Sequence, residues 1–367
     1  MKRRTFLQAV VTAPFIAGLS RMRKAIAATQ DEGWRTYEVI TKLDITNPSG
    51  ISRAWVPLPY MEKTDWHTLL GTTWSGNGRT TVITEPNYGA KILYVEWREN
   101  EQAPHIEVIN SFATRNRAAD FIRSNPGSLA TDPLSQREIE RYTKPTELIP
   151  TDGIVRDTAR NITRLARSDI EKAYAIYEWV VENTFRDPKV NGCGWGDIKT
   201  MLETGYFGGK CGDLNALFVG LTRSVGVAAR DVYGLRVAPS RLGYKSLGLG
   251  STDASKGQHC RAEFFAQGIG WVPVDPADVR KVVLEEPPGN LQLDDPRVMA
   301  IRRKLFGTWE MNWLAYNTAH DVVLPNSRTR LAYFMYPNGE SGGKALDQLD
   351  PDTFKYTITA REIKTPV

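Results

Sequence analysis

The chain has 367 residues, 41% hydrophobic and 24% charged, a length and balance that accommodate two domains with ordinary globular cores. Its formal net charge is +5, but Lys2, Arg3, Arg4, Arg21, Arg23 and Lys24 all fall within residues 1–28, which contain no acid. The remainder is nearly neutral, so a basic nucleic-acid footprint is excluded, and three cysteines are too few for a disulfide scaffold.

Residues 1–28 begin Lys-Arg-Arg-Thr-Phe-Leu, continue through a mildly apolar Ala9 to Leu19 and end on Ala25-Ile26-Ala27. That layout is an export signal with a small-residue cleavage site, and the arginine pair before Thr-Phe-Leu resembles the twin-arginine type. The expected location is therefore periplasmic or otherwise exported. Thr12, Pro14 and Gly18 interrupt the apolar run, and no later segment is long and apolar enough to span a bilayer, so no stable membrane span is expected after signal removal.

Residues 33–120 read as a β-rich N-terminal domain. Tyr37 to Ile45, Ser52 to Leu58, Lys91 to Arg98 and His105 to Phe112 are rich in Val, Ile, Tyr and Trp, and Gly, Pro and Asn clusters separate them. This stretch holds no nucleophile, metal-ligand spacing or phosphate loop, and His67 and His105 read as ordinary polar residues. Residues 121–150, with several prolines and glycines among many charges, read as a linker.

Helices follow. Thr151 or Asp152 is placed to cap a segment running to Arg167, and Ser168 with Glu171 forms a capping-box pattern that opens a helix over Asp169 to Thr184. Residues 186–210 are glycine-rich around a short helical stretch, Asp197 to Glu203, and such loops concentrate substrate contacts. Then comes Gly-Gly-Lys-Cys-Gly, followed by Leu214, Leu217, Phe218, Leu221 and Val225 at three- and four-residue spacing, which predicts a buried helix with Cys211 at its first turn. Unpaired amides and the helix dipole favour an anion there, and the thiolate is the nucleophilic form of cysteine.

Strands are predicted at Ala229 to Val237 and at 259–266, with 271–274 following a turn at Gln267 to Gly270. The hairpin carries His259 near the start of one strand and Asp275 at the end of the other, so imidazole and carboxylate can meet. Successive strand residues face opposite ways, which turns Cys260 toward the core if His259 faces a cleft. A Cys193–Cys260 bridge is conceivable, with two free thiols the favoured state. From Phe306 to Lys364 a short helix and strands at Asp321 to Leu324, Arg330 to Tyr336 and Phe354 to Ile363 are expected to complete or flank the core. His320 reads as a surface or satisfied histidine.

The segments Gly-Lys-Cys-Gly-Asp-Leu-Asn-Ala-Leu-Phe, Val-Ala-Ala-Arg-Asp-Val-Tyr-Gly, His-Cys-Arg-Ala-Glu-Phe and Gly-Trp-Val-Pro-Val-Asp-Pro resemble the core of the bacterial transglutaminase-like proteins, within the papain-like superfamily of thiol enzymes. The resemblance spans about 150 to 281 and keeps the order cysteine, histidine, aspartate. It implies an α+β fold in which a helix bearing Cys211 packs on an antiparallel sheet bearing His259 and Asp275. The expected organisation is thus signal 1–28, β domain 33–120, linker 121–150, catalytic core 151–285 and C-terminal extension 286–367.

The chemistry implied is covalent thiol catalysis on a carboxamide or peptide bond, ending in hydrolysis, deamidation or amine transfer, with peptide or protein substrates, those of the cell wall or envelope included, and no cofactor. Cys211 N–H at the helix start is an expected oxyanion donor. Trp195 is the side-chain candidate for the oxyanion or the cleft wall; aromatic or amide donors known in relatives do not align obviously with this chain. Gly209 and Gly212 fit either close approach of a substrate to the backbone or turn geometry alone, and Asp213 fits a structural place. Two other readings exist. A soft metal site from Cys193, Cys211, Cys260 and His259 lacks the paired chelate spacing of zinc sites, so no metal is expected. A non-catalytic binding or assembly module of the same fold is the alternative function. No loop has the spacing of an EF-hand, which argues against calcium.

Overall fold

The computed structural model describes residues 33–59, 64–121, 133–348 and 354–363, so the expected signal lies outside the described residues. The N-terminal strands are β1 (Arg35–Asp44), β2 (Ser52–Pro57), β3 (His67–Gly76), β4 (Arg79–Thr84), β5 (Lys91–Trp97) and β6 (His105–Thr114). The helices among the described residues are α1 (Gln136–Thr143), α2 (Gly153–Ile162), α3 (Asp169–Asn183), α4 (Ile198–Thr204), α5 (Cys211–Ser224), α6 (Pro276–Glu285) and α7 (Pro296–Lys304). Later strands are β7 (Ala229–Arg236), β8 (Gln258–Ala266), β9 (Gly270–Val274), β10 (Trp313–Asn317), β11 (Asn338–Ser341), β12 (Lys344–Leu346) and β13 (Lys355–Glu362).

Two antiparallel sheets, ordered β13-β1-β6-β3 and β12-β11-β2-β5-β4, form a sandwich. Leu43, Ile106 and Val108 from the first meet Val56, Leu93, Val95 and Trp97 from the second in one buried cluster. The chain's last strands belong to this sandwich: β13 runs along β1 from Tyr37↔Glu362 to Asp44↔Lys355, and β11 pairs with β2. The third sheet, β9-β8-β7-β10, carries the helices. Here Phe218, Leu217 and Leu221 of α5 share a core with Phe264 and Ala262 of β8, Ile176, Tyr177 and Val180 of α3, and Val279 and Val282 of α6. The architecture is α+β with a papain-like core, as the resemblance implies.

The helices obey their capping residues. Ser168 accepts from Glu171 N at the start of α3, and Asp197 accepts from Thr200 N at the start of α4. α2 ends at Ile162, short of the Arg167 end expected, where Thr163 turns its hydroxyl onto Ala159 O. The short helix expected after 306 is absent among the described residues. It lies earlier, as α7, where Asp295 caps and Pro296 takes the first helical position. The same Asp-Pro signature starts α6 directly after β9.

A third buried cluster joins the two halves of the molecule. Tyr37, Val39, Ile358 and Ala360 of the sandwich pack against Cys193, Cys211, Leu214, Leu235 and Cys260. The thiol site therefore lies at the seam between sandwich and helical core.

Candidate active site

Cys211 is the first residue of α5, with Lys210 at the N-cap, so its amide has no intrahelical partner by position. The residues before it are held by short contacts. Gly212 N donates to Cys193 O at 2.7 Å, while Asp213 accepts from Gly196 N and Lys210 N, each at 2.9 Å. Asp213 thus ties loop 193–196 to the helix start and has the structural place its position suggested. A Cβ on Gly212 would meet Cys193 O at 2.6 Å, and one on Gly209 would meet Asp213 Cβ at 2.6 Å. Both glycines are thus required by the protein's own packing, a reason distinct from the two offered by the sequence.

His259 enters from β8, opposite Gly234 of β7. Trp313 fills the space a Cβ on Gly234 would need, at 2.4 Å from that position, and its Nε1 donates to His259 O at 3.0 Å. The ring's Nε2 lies 2.8 Å from Asp275 Oδ2 and 3.4 Å from Asp278 Oδ2, leaving Nδ1 as the nitrogen available to the thiol. Asp275 is the N-cap of α6. Its Oδ1 accepts from Asp278 N at 3.0 Å and from Asn215 Nδ2 at 3.3 Å, so its carboxylate is oriented from three sides.

The charges are strongly coupled. Burial and Arg236 oppose protonation of His259, but Asp278 and Asp275 outweigh them and push the imidazole up to about 9. Burial alone would raise Asp278; the Arg236 guanidinium, then His259, hold it well below the usual carboxylate range. Asp275 is raised, first by burial and then by the neighbouring Asp278 charge. Cys211 is held well below the usual thiol range by the neighbouring Cys193 and Cys260 thiols, which together with His259 overcome its burial. Cys193, whose thiol donates to Gln258 O at 3.4 Å, is raised first by its contact with Cys211, and Cys260 is raised by burial. An ion pair of thiolate and imidazolium is the arrangement these shifts favour.

The three cysteines are free and buried, with sulfurs within 4.8 Å of one another. His259, Asp275 and Asp278 make a second group of equal compactness. The imidazole thus groups with the two carboxylates, and the four-ligand set of Cys193, Cys211, Cys260 and His259 is not a single cluster. Cys211, Cys193 and His259 open onto a cavity of roughly 480 Å³, whereas Cys260 is fully buried. A larger cavity of roughly 1080 Å³, lined by Trp66, Arg117, Tyr142 and Trp271, holds no thiol, so size alone does not mark the site.

Trp195 is 78% exposed and is not among the residues that line the cavity of Cys211; it sits over Gly196 and Gly212 on another face of the loop. Sequence reasoning missed Asn215 and Asp278. Asn215 lies four residues after Cys211 and so on the same helix face, and Asp278 occupies the third position after the Asp275 cap; both spacings are visible in the sequence. His320, buried, meets Tyr233 Oη at 3.3 Å and Asp231 at 3.4 Å and has no nucleophile in that pairing.

Residues 156–276 match the model of the transglutaminase-like superfamily core. An uncharacterised protein of Haemophilus influenzae is 36% identical over 346 residues, covering 89% of this chain and 91% of that protein. Among solved structures, a candidate cysteine protease from Cytophaga hutchinsonii aligns over 91% of this chain and 92% of its own, with a TM-score of 0.56 at 12% identity, a likeness of fold. The periplasmic domain of TgpA from Pseudomonas aeruginosa aligns over 70% of this chain and 92% of its own, with a TM-score of 0.34 at 13% identity.

Proposed function

The chain belongs to the transglutaminase-like superfamily, and from that premise we propose that it is an exported thiol enzyme acting on carboxamide or peptide bonds through an acyl-enzyme on Cys211. The observation that carries the reading is the buried contact of His259 Nε2 with Asp275 Oδ2 at 2.8 Å, with Cys211 and His259 lining one cavity.

In this reading the Cys211 thiolate attacks the carbonyl carbon, and the oxyanion accepts from the Cys211 N–H at the start of α5. As the tetrahedral intermediate collapses, the C–N bond breaks and the His259 imidazolium gives its Nδ1 proton to the leaving nitrogen. A thioester remains. Water, or an amine, then attacks the thioester with its proton passing to His259, which releases the acid or a new amide and restores the thiolate. Asp275 fixes the imidazole with Nδ1 toward the sulfur throughout. Residues 1–28 supply the reading of export.

The test is labelling with iodoacetamide followed by peptide mass spectrometry. Preferential modification of Cys211 over Cys193 and Cys260 near pH 7, with its profile displaced to higher pH in His259→Ala, is expected. Parallel incubation with wall peptides and glutamine-containing proteins, following ammonia, new amines and cross-links, identifies the reaction. An inert Cys211, or no turnover of any amide, favours a binding module instead.

A further inference from the structure

The cavity that exposes Cys211 and His259 is one-sided in charge. Arg186, Lys210, Arg236, Lys256 and Lys281 line it, and no aspartate or glutamate among the described residues does. Three of the five are answered from outside the lining: Arg236 by Asp278, Arg186 by Glu285, and Lys281 by Glu285 at 3.6 Å. Lys210 and Lys256 form no direct ion pair among the described residues, though their charges act on Asp187 and Asp253 respectively. Their places matter more than their number. Lys210 immediately precedes the nucleophile, and Lys256 lies three residues before the imidazole, on the loop that enters β8. The two ammonium groups without a direct ion pair therefore come from the two segments that carry Cys211 and His259.

A neutral amide substrate gains nothing from such a lining. The lining also opposes the protonated form of its own histidine, since Arg236 works against the charge of His259. A cleft with low-dielectric walls and one sign of charge concentrates ligands of the opposite sign. We infer that the cavity is an anion-recognising subsite, and that the acyl substrate is an acidic peptide with carboxylates flanking the reacting amide, held by Lys210 and Lys256. The inference rests on the proposed use of Cys211 only for the word substrate; recognition itself needs no thiol chemistry.

The test therefore uses the full chain carrying Cys211→Ala, so that binding is read without turnover. Two rhodamine-labelled peptides of equal length, each with one central glutamine, are compared by fluorescence anisotropy, one flanked by Asp and Glu and the other by Ser and Ala. At 0.02 M salt the acidic peptide is expected to bind at least about tenfold more tightly. The gap should close by about 0.5 M salt, where screening has shortened to a few ångströms. In Lys210→Glu/Lys256→Glu, checked for folding by circular dichroism, the order should reverse. Equal affinities, a preference that survives both lysine changes or high salt, or no binding of the acidic peptide at millimolar concentration would overturn the inference. So would tighter binding of a single-stranded oligonucleotide of the same net charge. An acidic-peptide preference in a protein whose wild type turns over no amide would sink the enzyme reading and leave this one standing.

Discussion

Asn215 Nδ2 donates to Asp275 Oδ1 at 3.3 Å from a position one helical turn past Cys211. The same nitrogen donates to Cys260 O at 2.8 Å, and Asn215 Oδ1 accepts from Ala277 N at 3.4 Å. One fully buried carboxamide therefore links the helix of Cys211, the strand of His259 and the first turn of α6. Asn215→Leu keeps the branched shape but orphans the Cys260 carbonyl, at a cost of about 1–3 kcal/mol. Urea unfolding should show that loss, and kcat should fall more than KM rises. An unchanged rate per folded molecule would deny Asn215 a positioning role.

Protonation gives a second prediction. His259, raised to about 9, contributes stability that is fully present below its ordinary value near 6.5 and is lost as pH rises through about 9. Cys211, depressed, contributes in the opposite sense, with stability lost as pH falls through its folded value. Between the two limits the ion pair is populated. Alkylation of Cys211 should thus be fast and nearly flat around pH 7, and kcat/KM should decline above about pH 9. His259→Ala and Cys193→Ala each remove a cause of the depression, so both should shift the alkylation profile toward higher pH.

Much of this site could be read from the chain itself. The glycines before Cys211 and the apolar spacing after it predict a nucleophile at a buried helix start, and the hairpin spacing predicts that His259 and Asp275 approach. What escaped were relations that periodicity does not encode. That Asp275 is a helix cap rather than a strand end follows from Pro276 and Asp278, a signature overshadowed by the strand preceding it. That β11 to β13 return to the N-terminal sandwich depends on long-range pairing such as Tyr37↔Glu362, which no local pattern announces. The gathering of the three thiols is of the same kind, since Cys193 arrives on a loop held to Gly212 by a single backbone bond.

Asp278 offers the third test. Its charge is the larger of the two that raise His259, and it also answers the buried Arg236. Asp278→Asn should move the alkaline limb of kcat/KM to lower pH, because imidazolium loses one of the two carboxylates that support it. It should also lower stability by about 3–5 kcal/mol, since Arg236 is left charged and unpaired in the interior. Adding Arg236→Met should recover much of the stability and, because Arg236 opposes the imidazolium, move the limb part of the way back, two effects that urea unfolding and titration can read independently.

The packing of Gly212 carries the last prediction. An alanine there would bring Cβ to 2.6 Å from the Cys193 carbonyl oxygen and to 3.3 Å from Gly194 O, both backbone atoms that cannot rotate aside. The helix cannot yield easily, because α5 is buried along Cys211 to Arg223, so loop 193–194 must move. Overpacking of this kind costs about 1–3 kcal/mol. The chemical consequence is more specific: Cys193 is the first of the partners that hold Cys211 as a thiolate. Gly212→Ala should therefore reproduce the alkaline shift of Cys193→Ala in iodoacetamide alkylation while His259 stays intact. Gly71→Ala, where nothing lies within 4 Å of the added carbon, should leave the profile alone. If Gly212→Ala lowers stability but keeps the wild-type profile, the contact with Cys193 does not govern the thiol, and the depression must come from His259 and Cys260.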